Sequence, residues 1–129
     1  MTNIKISKSE QFYHENLTWK RSLDFFKDEN SFLKNRLSKV VDERVDKEFL
    51  ELAEHFQNQF ILNDEYINSL LKEINIQEKK LKEIILASVA LPNKIICNKQ
   101  ILLRNEIELI ENNFTKLKNE FNKYLVSIL

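Results

Sequence analysis

Residues 96–128 read ICNKQILLRNEIELIENNFTKLKNEFNKYLVSI, and their spacing decides the fold. Ile96, Leu103, Ile110, Leu117 and Tyr124 recur every seven residues, with Gln100, Ile107, Phe114, Phe121 and Ile128 interleaved between them. Alternating steps of four and three keep all ten side chains on one side of a helix with 3.6 residues per turn. That is the seam of a coiled coil, with the first set at d and the second at a. A half-buried strand would need apolar residues at every second position, and this stretch lacks that alternation. Ile95, Leu102 and Leu109 add a second apolar stripe at c, beside the seam.

The same period continues toward the N-terminus. Pro92 is the only proline in the chain. It removes a backbone donor and biases Leu91 away from helical angles, so residues 92–93 mark a corner. Before it, Phe49, Phe56, Asn63, Leu70, Gln77 and Ile84 fall at d, and Ala53, Phe60, Ile67, Ile74 and Leu81 at a. Asp46 is the expected N-cap of this segment. A polar corner at 42–46 separates it from a further seam: Phe12, Trp19, Phe26, Leu33 and Val40 at d, with Asn16, Leu23, Asn30 and Leu37 at a. Ser7 and Glu10 have capping-box spacing at its start. Phe25 and Phe32 at c are expected to widen its buried face. A β-hairpin over 84–97 is the competing reading, but a lone hairpin would have no sheet to join.

These segments predict helices over about 8–41, 46–90 and 94–128 in one domain spanning 1–129. Short corners force antiparallel neighbours, so the expected fold is all-α: an elongated antiparallel three-helix bundle with coiled-coil-like seams. The second helix reads as longer than the first and is expected to overhang it at the Pro92 end.

Composition narrows the function classes. The 129 residues contain no glycine, which excludes glycine-rich phosphate loops and glycine-flanked nucleophile elbows, because both need backbone angles other residues avoid. Twenty basic and twenty acidic residues give a formal net charge of zero, against a nucleic-acid-binding role, which calls for a basic face. The longest nearly apolar run, 84–91, broken only by Ser88, is far short of the roughly 20 residues that span a bilayer. The start of the chain is too polar for a secretory signal, and the single cysteine, Cys97, permits no internal disulfide. A cytoplasmic location is the expectation.

Enzyme-like constellations are thin. Di-iron bundle sites need inward carboxylates and Glu-x-x-His spacing. Here the a and d positions carry no Asp or Glu, and His14 and His55 fall at the outward positions f and c. No metal, cofactor or catalytic residue is therefore assigned. Cys97 at e reads as a small, partly buried thiol, and Trp19 at d as core. The seam amides Asn16, Asn30, Asn63, Gln77 and Gln100 read as register-setting pairs in preference to a polar ligand pocket.

Around the second corner the chain carries more apolar side chains than one bundle face can bury. Ile85, Leu86, Val89, Leu91, Ile95, Ile101 and Leu102 are the candidate interaction residues. The N-terminal Ile4 and Ile6, a second copy of the chain or another protein could cover them. Self-association is favoured over a heterologous partner, because closed homo-oligomers are common; a merely well-buried end is the other reading.

Two stretches carry a resemblance. Trp19, Leu23-Asp24-Phe25-Phe26-Lys27-Asp28-Glu29, Phe32-Leu33 and Arg36-Leu37, followed by Glu54-His55-Phe56-Gln57-Asn58-Gln59-Phe60, resemble short uncharacterised helical proteins of Bacteroidetes bacteria. The resemblance implies a helical fold and carries over no activity, cofactor or functional residue. The functional expectation is a non-enzymatic bundle acting through a protein partner or as a homo-oligomer. The alternative is a four-helix-type or dimeric bundle holding a metal ion or small ligand for sensing or redox chemistry.

Overall fold

A computed structural model of the chain describes residues 6–43, 46–89 and 91–128. Three helices follow in order, α1 (Lys8–Asp42), α2 (Lys47–Leu86) and α3 (Lys94–Ile128), and the described residues contain no strand. The bundle is antiparallel between sequence neighbours. At one end Ser9 Oγ donates to Val89 O at 3.3 Å. Further along, Lys20 meets Glu78 and Asn30 meets Phe60 and Asp64. The α2–α3 pair runs from Gln77–Gln100 at one end to Phe49–Tyr124 at the other. α1 and α3 run parallel, and their cross-helix bonds keep a sequence offset of 84 to 89 residues from Asn16–Gln100 to Glu29–Lys118. A nearly constant offset means that no register slip occurs along the bundle.

The seam residues form the core in three blocks. Leu33, Leu37, Phe49, Phe56, Phe60, Phe114 and Phe121 lie at the end near the first corner. Trp19, Leu23, Ile67, Leu70, Ile74, Leu103, Ile107 and Ile110 fill the middle. Phe12, Leu81 and Ile96 close the end near Pro92. The first block is aromatic: Phe60 and Phe121 meet edge to face at 5.1 Å, and the buried Tyr124 hydroxyl donates to Phe49 O at 3.0 Å. Trp19 is core, as its position at d implies.

The seam amides separate these blocks. Asn30 Nδ2 donates to Phe60 O at 2.8 Å and to Asp64 Oδ1 at 2.7 Å, and Asn63 reaches Asn30 Oδ1 at 3.4 Å. In the other polar layer, Gln77 Nε2 donates to Ile96 O and to Gln100 Oε1. Gln100 Nε2 in turn lies 2.9 Å from both Asn16 Oδ1 and Glu15 Oε1. One amide from each helix thus meets in a single layer, so sliding any helix by a turn would strand buried donors and acceptors. Each such loss costs about 1–3 kcal/mol. Asn16 Nδ2 is the exception, buried without a hydrogen-bond partner.

Several local expectations are corrected. α2 ends at Leu86, not near residue 90; Ala90 itself lies outside the described residues. Its end is a Schellman turn: Ser88 N donates to Ile85 O and Val89 N to Ile84 O, each at 3.0 Å, with Ser88 at φ 58°. Glycine usually takes that left-handed position; in a chain without glycine, serine takes it. α2 does not overhang α1, because Ser9 and Phe12 of α1 reach Val89 and the Leu81–Ile96 block. Phe25 and Phe32 do not widen the buried face; both are exposed, Phe32 to 64%. Three helices offer each seam only two neighbours, and the c flank of α1 turns past both. Asp46 occupies the N-cap position of α2 but makes no side-chain capping bond, whereas Ser7 Oγ accepts from Glu10 N at 3.1 Å.

Candidate interaction surface

The second corner is held by its own backbone chemistry. Asn93 Oδ1 accepts from Ile96 N at 2.9 Å and so caps the start of α3. Pro92 is buried, and Cys97 Sγ lies 3.7 Å from its carbonyl oxygen. With Pro92 turned inward and the Schellman turn closing α2, the apolar residues that flank the corner face outward. Leu86 is 85% exposed, Leu91 72% and Ile95 75%. Val89, Ile101 and Leu102 are each about half exposed, and Ile85 is half-buried. Ile6 does not cover them, being itself exposed, and Ile4 lies outside the described residues.

These seven residues do not form one patch. Ile85 and Val89 border a recess against Ser7 and Glu10 at the start of α1. Ile95 lines an open groove of about 300 Å³ between α2 and α3, with Ile76, Lys80, Glu73 and Lys99. Leu102 and Leu109, seven and fourteen residues further on, continue the Ile95 side of α3, both exposed. Ile101 turns the opposite way, toward the flank where Arg104 pairs with Glu15 of α1. The longest continuous apolar strip at this end is therefore Ile95–Leu102–Leu109 with Ile76 beside it. The sequence signal for that strip was the c stripe. Ile76 and Leu109 belong to the exposed strip without having been singled out as interaction residues.

Charges edge the strip. Lys99 pairs with Glu73 across the α2–α3 groove at 3.3 Å. Glu106, one turn beyond Leu102, has no ion-pair partner among the described residues. Both carboxylates act on Tyr66. Burial, and then the negative charges of Glu106 and Glu73, hold its phenol above the usual value of 10.0. On the other flank, Arg104 is held above its ordinary range chiefly by its hydrogen bonds to Glu15, 2.6 Å from Nη2 to Oε1.

His14 and His55 are both exposed. Among the described residues no three His, Cys, Asp or Glu side chains come together to hold a metal ion. A second open groove, about 260 Å³, is lined by Lys34, Leu37, Ser38, Val41, Gln57 and Ile61 and brings no acid–base or nucleophile pair together. Among the described residues no helix is long and apolar enough to cross a membrane. No family model, curated protein or solved structure matches this chain.

Proposed function

We propose that this chain is a non-enzymatic, cytoplasmic helical bundle that works through protein contacts, and that its first partner is another copy of itself. The observation that carries the reading is the outward apolar strip at the Pro92 end, set on rigid helices and edged by charges. A strip of this kind is stable in water as a covered surface, because each large apolar side chain removed from solvent contributes about 1.5–3 kcal/mol. Its recognition mode is helix-face packing, with apolar anchors supplying affinity and flanking charges choosing the partner. A net charge of zero leaves no long-range repulsion between copies. The protein needs no cofactor for this role and binds neither nucleic acid nor membrane.

The test is the mass of the untagged chain by light scattering at rising concentration, beside a Leu86→Glu/Leu102→Glu double variant. The expected outcome is an associating wild type and a monomeric variant that keeps its helical signal. A wild type that stays at 15.5 kDa throughout, with no protein recovered on it from its native cell, would remove the support for this role.

A further inference from the structure

We infer that the strip on α3 is covered by the same strip of a second copy, the two α3 helices packing antiparallel about a two-fold axis at Leu102. The inference rests on the self-association reading above and gives it a register. An isologous contact requires a surface that is complementary to itself. With the axis at Leu102, each residue lies level with the partner residue equally far from 102 in the opposite direction. Leu102 then meets its own counterpart, and Ile95 meets the partner's Leu109. These three residues are all exposed in one copy, and the strip is bounded by the Pro92 corner on one side and Lys116 on the other.

The edges match as well. Lys99 and Glu106 lie on the same edge, three residues before and four residues after Leu102. An antiparallel two-fold contact brings residues of one edge together, so Lys99 faces the partner's Glu106 and Glu106 faces the partner's Lys99. Among the described residues Glu106 has no ion-pair partner in the single chain, while Lys99 pairs with Glu73. On the other edge Asn98 meets the partner's Asn105, both exposed amides able to donate and accept. No like charges are brought together along this α3 seam.

The other large exposed apolar pair fails the same requirement. Pairing Phe25 with the partner's Phe32 about their midpoint would set Asp28 beside the partner's Asp28 on one edge and Glu29 beside the partner's Glu29 on the other. Like charges directly opposed disfavour a contact. The α1 phenylalanines therefore do not compete as a self-docking face.

The experiment uses the full chain with Cys97→Ser and Leu102→Cys, oxidised mildly and run without reductant. Glu65→Cys on the far side of α2 serves as the exposed control. A residue on a two-fold axis faces its own copy at disulfide range, so the Leu102→Cys chain is expected to cross-link far faster than the control. Circular dichroism checks that each variant is folded. A charge exchange gives an independent arm: Glu106→Lys weakens the dimer about two- to tenfold, and adding Lys99→Glu restores it. A monomeric wild type overturns both this register and the self-association on which it rests. A dimeric wild type whose Leu102→Cys chain links no faster than the control, or whose charge exchange is not rescued, overturns the register alone.

Discussion

Ser88 shows how a chain without glycine closes a helix. Its φ of 58° lies in the left-handed region, which costs a non-glycine residue roughly 1–2 kcal/mol. The turn is retained because two backbone bonds satisfy the last carbonyls of α2 and because Ser9 donates to Val89 O beside it. Ser88→Gly is expected to raise stability by about 0.5–1 kcal/mol, net of the extra freedom glycine gains in the unfolded chain. Urea unfolding measures this, and a loss of stability would show that the serine side chain contributes what its φ does not. Tyr66 gives a pH dependence. Its folded phenol holds the proton above 10.0 because of burial, then Glu106, then Glu73. Stability from this group is therefore complete below pH 10 and is lost as pH rises through the folded value. Tyr66→Phe should flatten the alkaline fall in stability above pH 10; an unchanged slope would place that fall elsewhere.

At the scale of the helix, the two N-termini separate a sequence signal from its structural use. Ser7 and Asp46 are both good N-cap residues by type, but only Ser7 makes the side-chain bond. Ser7→Ala should cost about 1 kcal/mol, and Asp46→Ala markedly less. Equal losses by thermal unfolding would contradict the assignment. The same contrast runs through what was legible beforehand. The helices, their antiparallel order and the core at a and d follow from a seven-residue period that leaves little choice. The capping role of Asn93, the turn at Ser88 and the burial of Glu78 beside Lys20 were not legible. They depend on which helix ends meet in space, and a one-dimensional pattern does not carry that. Phe25 and Phe32 were misread because their stripe has the same spacing as a buried one. Whether a c stripe is covered depends on how many neighbours the bundle supplies.

For the whole molecule, the two polar layers and the exposed strip divide the work. Asn30 with Asn63 and Asp64, and Asn16 with Gln77 and Gln100, hold three long helices in one alignment. That rigidity sets Ile95, Leu102 and Leu109 in line on one side of α3, where a mobile segment would scatter them. The candidate surface was only partly legible. Its neighbourhood could be read from apolar excess around Pro92, but the split between the Ile95 and Ile101 flanks required the packed helices. The measurement that bears most directly on this reading is a dilution series of backbone amide spectra from the isotope-labelled chain. Concentration-dependent shifts centred on 95–109 and Ile76 are expected, with the amides around Phe25 and Phe32 unmoved. Spectra identical at every concentration, or shifts confined to α1, would contradict this reading.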